Sequence, residues 1–522
     1  MKKTGISLLV TAVYAAVVYY VASPALSIHA GGFWALLIST LAVFTLLEAM
    51  GVSIQRRKTS LPLQLSSLLI LISLAVFLLG ALVGTRLFQA GRYASLAEKR
   101  IEYRDFLTDI PEEKSISNIA LMDTDSAQII GNRQMGSLSD LVSQFETSDY
   151  STINLNGRPM KVSALRYVSF FRYLRNRRAG VPGYIQVNPV TQKAEYVKLD
   201  EGMKYVPSAS FGHDLKRHIH SKYPGAIIGD FYFELDEDKK PYYVCPYVVY
   251  RAGLFGAKDV GGVILVDPVT GEMEQYALED VPQWVDRVYD GDLLCQQYDD
   301  YGKLKNGLWN SLFAKVGCVV TTADYGYKAL EDDLWVFTGV TSVASDESNI
   351  GFVLMNSRTG AIRYYDISGA EEYSAMSAAE GQVQNLRYTA AFPSVINVGG
   401  EPVYLMVLKD SGGLTKMYAL VNVQDYSLVA TGVTQEEALK NYRGLLSAEG
   451  QLNLTQAKSV TVQAVRDATM DGESYVYLIA DGVAYRLRLS DDERAILIQA
   501  GDTVELLCAD GDEPVLQAQL AD

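Results

Sequence analysis

At 522 residues the chain is long enough for several domains, and an apolar share of 49% supports real cores. A net charge of −15 argues against a nucleic-acid binder, whose phosphate contacts need a basic face. The four Cys show neither CxxC nor a Cys/His zinc spacing. Cys295 and Cys318 could bridge outside a cell, whereas Cys245, Cys318 and Cys508, each on an apolar run, read as small core residues.

Three apolar runs open the chain: Gly5–Ser23, Phe33–Ser53 and Leu65–Phe88. Each approaches the ~20 residues needed to cross a ~30 Å hydrocarbon core. A cleaved signal peptide is the alternative for the first. The two spans that follow it and the poor cleavage site at Ile28-His29-Ala30 favour retained helices. Lys2, Lys3 and the Arg56-Arg57-Lys58 loop are basic, while Pro24–Gly32 has no Lys or Arg. By the positive-inside rule the N-terminus is cytoplasmic and everything after about Phe88 is extracytoplasmic. Arg86, Arg92, Lys99 and Arg100 speak for the opposite orientation. Glu48 is an acid within an apolar helix, a candidate contact to a partner helix. It could equally snorkel or pair with Arg56 or Arg57. Gly80 and Gly84 form GxxxG, which permits close helix contact within the chain, in a homo-oligomer or in a membrane complex.

Ala90–Leu107 has helical spacing and continues the third helix until before Pro111. A strand is expected at Ile116–Met122, a helix around Ser137–Phe145 and a hairpin turning at Asn156-Gly157. Ser163–Arg178 reads as a basic aromatic helix, with Leu165, Val168, Phe171 and Leu174 on one face. Arg166, Arg172, Arg175, Arg177 and Arg178 carry its charge. They suit an anionic lipid surface or an acidic partner, or form an ordinary solvated face.

A repeated phrase then organises the chain. Gly262–Gly271 (GVILVDPVTG) recurs as Gly183–Gln192 (GYIQVNPVTQ) and Gly351–Gly360 (GFVLMNSRTG). Each is an apolar strand entering a tight turn, closed in two cases by a Gly suited to the left-handed conformation. A looser copy at Tyr418–Gly432 keeps Asn422 but lacks the Gly-closed turn. The turn residues Asn188, Asp267, Asn356 and Asn422 are spaced by about 65–90 residues, room for a helix and three antiparallel strands. Helices are expected at His213–Lys222, Gly307–Ala314, Met376–Asn385 and Thr434–Leu446, the last with a T-x-x-E capping box. Strands are expected at Ala226–Leu235, Pro241–Tyr250, Leu334–Val343 and Pro402–Lys409. Pro282–Lys305 has no place in such a unit.

Helix, three strands and a D-P-x-T-G or N-x-x-T-G hairpin look like the PepSY module of bacterial envelope proteins and peptidase propeptides, over about residues 211–450. The resemblance implies an extracytoplasmic binding or inhibitory module. The whole chain also resembles an uncharacterised membrane-anchored family of Gram-positive bacteria. Ala457–Leu520, with strands expected at Ser459–Arg466, Ser474–Ala480, Val483–Leu489, Thr503–Cys508 and Val515–Gln519 and a short helix at Asp491–Leu497, resembles a small OB-type barrel. It is acidic and lacks a basic groove with stacking aromatics, so it reads as an interaction or capping barrel. The expected fold class is therefore α+β. It comprises a three-helix anchor (1–89), a juxtamembrane helix (90–110), a first α+β region (111–210), tandem PepSY-like units (211–450) and the OB-like barrel (457–522).

No GxSxG, P-loop or GxGxxG before a helix occurs, and the His213, His218 and His220 cluster has no HExxH spacing. No catalytic, metal or cofactor residue is assigned. The clusters Asp236-Glu237-Asp238, Glu331-Asp332-Asp333 and Asp346-Glu347 could supply carboxylate pairs for glycoside chemistry or Ca²⁺ ligands, or simply be charged turns. Trp284, Trp309 and Trp335 are candidate recognition aromatics, or core. The expected function is a membrane-anchored extracytoplasmic protein that holds, inhibits or localises an envelope protein or peptidase. The alternatives are a cell-wall polymer hydrolase and an accessory subunit of a transport or secretion complex.

Overall fold

The computed structural model describes residues 2–54, 60–117, 119–343, 345–448, 456–470, 473–490, 492–508 and 515–520. The apolar runs form the helices Lys2–Ala22, Gly31–Ile54 and Leu61–Val83, all long and apolar enough to span a membrane. Ser60 caps the third, its hydroxyl accepting from the Leu63 N–H. Arg56, Arg57 and Lys58, and the side chains of Lys2 and Lys3, lie outside the described residues.

The third helix stops at Val83, short of the expected Phe88. A separate helix, Arg86–Glu98, follows and is bent where Gln89 leaves helical geometry. It does not run on to Leu107, because Ile101–Arg104 becomes a strand paired in parallel with Ile362–Tyr365.

Contacts divide the chain into two compact units, Met1–Asp105 with Ala120–Glu372, and Phe106–Ile119 with Tyr373–Asp522. The first unit carries three antiparallel meanders. The first runs Arg158–Tyr167, Val181–Asn188, Lys193–Met203, preceded by the hairpin strand Ser151–Leu155. Asn156 and Gly157 both hold positive φ, 53° and 74°, as a two-residue hairpin turn requires. The second runs Tyr232–Leu235, Pro241–Ala252, Gly256–Val266, Met273–Ala277. The third runs Asp333–Ser342, Ser345–Asn356, Ile362–Tyr365.

The repeated phrase has one physical cause. The side-chain oxygen of Asn188, Asp267, Asn356 or Asn422 accepts the N–H groups two and three residues on, at 2.8–3.1 Å. In three copies the residue four places on then bonds back to the Asn or Asp carbonyl, with Gln192, Gly271 and Gly360 at positive φ. The Asn422 turn is one residue longer, its N–H reaching Leu428 where Asp267 reaches Glu272. That extra residue is why no Gly closes it.

The second meander is buried on both faces. Tyr243, Cys245, Ile264 and Val266 enter a core with Val162, Ile185 and Ile219, while Val244, Val263 and Leu265 enter another with Leu294, Tyr298, Val336 and Val353. Each such side chain contributes roughly 1.5–3 kcal/mol when fully buried. Pro282–Lys305, which had no expected place, supplies the helix Gly291–Leu304 that covers this second face.

Other expectations are corrected. Ser163–Tyr167 continues the strand Arg158–Tyr167, and only Phe170–Asn176 is helical, so the basic helix is a single short element. The described residues of 116–122 form no strand, Ala226–Leu235 is a strand only from Tyr232 with an isolated bridge from Ile228 to Tyr247, and Ser137–Phe145 holds just the helical turn Ser139–Val142 after the longer Thr124–Gly136. All four Cys are unbridged, with Cys245, Cys318 and Cys508 buried.

In the second unit a fourth meander, Glu401–Lys409, Thr415–Asn422, Val429–Gly432, packs under the helix Gln435–Ala448. Thr434 caps that helix through the Glu437 N–H, and Glu437 reaches back to Val433. The segment Phe106–Ile119 belongs here. Ile110 and Ile116 are fully buried, and the Glu436 carboxylate accepts from the Ser115 hydroxyl and the Ile116 and Ser117 N–H groups at 2.5–3.0 Å. The C-terminal part is a six-stranded sheet in the order 456–461, 503–508, 515–520, 483–488, 473–480, 464–470, an open hydrogen-bonded path. The single expected strand Ser459–Arg466 is thus two strands, which pair at opposite ends of the sheet.

Candidate functional site

The strand Met273–Ala277 is the outermost of its sheet and, among the described residues, pairs with Gly256–Val266 alone. The Asp267 N–H donates to the Glu272 carbonyl at 3.0 Å, which sets the alternation along the strand. Glu274 and Tyr276 turn their backbone groups inward, and Met273, Gln275 and Ala277 turn theirs outward. The Met273 carbonyl accepts from Lys222 Nζ at 2.7 Å.

This edge lies in a cleft of about 860 Å³ walled by Lys222, Tyr242, Glu272, Tyr276 and Trp284. A second cleft, about 660 Å³, shares Lys222, Tyr223 and Gln275 with it and is bounded by Ser27 and His29 of the loop between the first two apolar helices. Together they make a groove along the strand edge that ends beside the helical anchor.

The groove walls are built from fixed groups. Trp284 packs over Tyr242 at 5.0 Å, and Lys240 lies over the same ring. The Lys240 ammonium bonds Asp267 Oδ2 at 2.9 Å, which holds Lys240 above its ordinary pKa. Burial works against ionisation of Asp267, but the Lys240 bond and the turn N–H groups outweigh it and hold the carboxyl below its usual range. Glu274 accepts the Tyr276 hydroxyl at 2.6 Å, pushing that phenol up to about 12. Glu272 and Gln275 are exposed. Aromatic walls, mixed charge and the outward backbone groups of Gln275 and Ala277 suit an extended polypeptide.

The third meander shows what such an edge accepts. Ile362–Tyr365 occupies the place that Met273–Tyr276 occupies in the second, each starting six residues after its turn Asn or Asp. That edge is filled by the chain's own Ile101–Arg104, in parallel, with the Ile362 N–H donating to the Arg100 carbonyl at 2.8 Å.

The residues singled out from sequence fall elsewhere. Gly80 and Gly84 face a β-hairpin tip. A Cβ at Gly80 would meet Leu254 Cδ1 at 2.2 Å, and one at Gly84 would meet the Ala252 carbonyl oxygen at 3.0 Å. The small-residue face is thus taken by Ala252–Gly256 of the same chain. Glu48 is buried in the second helix and makes no ion pair among the described residues. Arg166 is on a strand, paired with Glu146 at 3.1 Å. Arg172, Arg175, Arg177 and Arg178 stay together on and after the short helix Phe170–Asn176.

The three clustered His diverge. His218 bonds the Gly271 carbonyl, His220 bonds Ser23 Oγ and the Ala226 carbonyl, and His213 packs on Tyr205. No group of His, Cys, Asp and Glu able to hold a metal occurs among the described residues. The acidic clusters serve turns and ion pairs: Asp236 accepts the Asp238 and Lys240 N–H groups, Glu331 binds Arg363, and Asp333 binds Arg358 in two-pronged fashion. The side chains of Asp346 and Glu347 lie outside the described residues. Trp335 is buried, Trp284 lines the groove and Trp309 is exposed.

Neither a scan against protein-family models nor a search of curated proteins returned a match.

Proposed function

We propose that this chain is a membrane-anchored envelope binding protein that captures an extended segment of another envelope protein or peptidase along Met273–Ala277. The observation that carries the reading is the outward edge of that strand inside an aromatic-walled groove. Its counterpart in the next repeat is already augmented by a parallel strand of the same chain. The reading keeps the PepSY-like family resemblance as its frame, supported by four turns built on one side-chain capping pattern. The OB-like reading of the C-terminal sheet is supported by the parallel pairing of 483–488 with 515–520 and by one split strand pairing at both ends. The extracytoplasmic placement rests on the basic N-terminal flanks.

The test is a photocrosslinking residue at Glu272, exposed in the same cleft, in intact cells, followed by mass spectrometry of the adduct. One dominant envelope protein is expected. Gln275→Pro removes the outward N–H without touching the inner ladder and should abolish the capture. An adduct that survives this change, or no protein adduct at all, refutes the reading.

A further inference from the structure

A second surface, separate from the groove, lies at the exit of the first apolar helix. Phe170, Phe171 and Phe211 are 47%, 78% and 47% exposed and form one cluster, with ring centroids 6.0 and 5.9 Å apart along Phe171–Phe170–Phe211. Exposed Phe on a soluble face costs hydration and needs a cover. The cluster is also held outward by the backbone. Phe211 sits at φ 58°, a conformation bulky residues avoid, and buried Tyr173 ties the short helix to this turn by donating to the Ser210 carbonyl at 2.6 Å.

Cations surround the rings. Arg172 and Arg175 lie on the short helix that carries Phe170 and Phe171, Arg177 and Arg178 follow it directly, and a cleft of about 440 Å³ beside Phe211 is lined by Arg177, Arg178 and Lys204. No Asp or Glu lines that cleft. In a chain of net charge −15, such a concentration of positive charge is local and specific.

The position of the cluster identifies its occupant. Arg217 donates from Nη1 to the Phe211 carbonyl and from Nε to the Tyr20 carbonyl at 2.9 Å, with its guanidinium 4.4 Å from the Tyr20 ring centre. Tyr20 is in the last turn of the span Thr4–Ala22. Tyr near the end of a membrane helix marks the headgroup level. One arginine therefore fixes the Phe cluster to the depth at which the first helix leaves the bilayer.

We propose that Phe170, Phe171 and Phe211 insert into the interface of the bilayer that the helices span, with Arg177, Arg178 and Lys204 holding the phosphate of an anionic phospholipid. Aromatic rings below and guanidinium groups at the phosphates are the arrangement an interfacial helix uses, burying its apolar face ~5–10 Å into the headgroup and acyl boundary. Arg172 and Arg175 add attraction to the anionic surface. The domain is thereby clamped flat on the membrane, not only tethered to it.

The test uses the full chain in lipid nanodiscs. Phe171→Trp places an emitter at the most exposed ring, and the unsubstituted chain supplies the background from its own Trp. Lipids brominated just below the headgroup should quench the added emission strongly, and lipids brominated near the bilayer centre, ~15 Å from the surface, should quench it weakly. Arg177→Gln with Arg178→Gln in the same background should lower quenching in anionic discs to the level seen in zwitterionic discs. Inorganic phosphate should leave it unchanged. Unquenched emission at the wavelength of a water-exposed indole overturns the proposal and leaves a protein partner as the cover. Quenching indifferent to both Arg changes overturns the headgroup contact.

Discussion

The seat of the hairpin on the third helix gives the sharpest stability prediction. The tip Ala252–Gly256 lies against Gly80 and Gly84, with the Leu254 carbonyl accepting from His29 Nδ1 at 2.9 Å and Phe255 packed 5.3 Å from Phe77. A Cβ at Gly256 would stand 1.8 Å from the Gly84 carbonyl oxygen and 2.7 Å from its carbon. Both are backbone atoms, so neither can rotate away. Overpacking of this kind costs typically ~1–3 kcal/mol, and a backbone obstacle belongs at the upper end. Gly80→Ala differs in kind, because its obstacle is the Leu254 side chain at 2.2 Å. Melting of the detergent-solubilised chain should therefore fall by several degrees for Gly256→Ala. Adding Leu254→Ala should relieve much of the Gly80→Ala loss and none of the Gly256→Ala loss. An unchanged midpoint for Gly256→Ala, or equal rescue of both, would refute this account of the GxxxG face.

Lys161 is buried and donates to Thr152 and Thr124 hydroxyls. Burial, and then the nearby Arg287 charge, lower its pKa to about 8. Between that value and the ordinary 10.5 the unfolded chain holds the proton and the folded chain does not, so stability rises with pH across this window. Lys161→Met should flatten that rise in urea melts and stabilise the protein at pH 7 by up to ~3 kcal/mol. Glu436 is exposed, and although partial desolvation works against its ionisation, the Ser115, Ser117 and Ile116 hydrogen bonds hold it below its ordinary pKa. Its contribution is present above the unfolded carboxyl pKa and lost as pH falls through the folded one. Glu436→Gln, at this exposed position and with one acceptor oxygen kept, should cost no more than ~1 kcal/mol and speed hydrogen exchange within Phe106–Ile119. Asn188→Ala removes two turn hydrogen bonds and should loosen exchange at Val190 and Thr191 while leaving the second meander unchanged.

The parts of the fold visible in the sequence were those set by local chemistry. An Asn or Asp that caps its own turn leaves a signature at a fixed spacing, which even the longer Asn422 turn preserves. Asn156-Gly157 was readable for the same reason. Ser163–Tyr167 misled because Leu165 and Val168 fit a helical period, while the sheet buries Lys161 and Ser163 among other strands. The helix Gly291–Leu304 was hidden by its Asp and Tyr content, although Leu294, Gln297, Tyr298 and Tyr301 trace one face. GxxxG reads as a face for another helix, whereas a β-hairpin tip lies against it, because small residues do not say what approaches. The groove was not legible because its walls come from segments far apart in the chain, and the Phe cluster because Phe211 joins Phe170 only through the fold.

Comparison of equivalent edges argues for the second meander as the binding unit. The last strand of the first meander, Lys193–Met203, carries Lys193, Glu195, Lys198, Asp200 and Glu201, a charge density that discourages strand addition. The last strand of the third is already paired with Ile101–Arg104. Of these three last strands, Met273–Ala277 combines an open edge with a groove shaped around it. If the edge itself is what binds, moving the first meander's protection onto the second should be enough to silence it. Gln275→Lys, with Ala277→Lys to extend the charge, places both changes at exposed positions and leaves the ladder to Gly256–Val266 intact. The melting midpoint should stay within about a degree, since surface changes of this kind alter stability by ~0.5 kcal/mol or less. Capture of the crosslinked partner should nevertheless fall at least as far as for Gln275→Pro. A variant that melts normally and still captures its partner would move the binding site away from this edge.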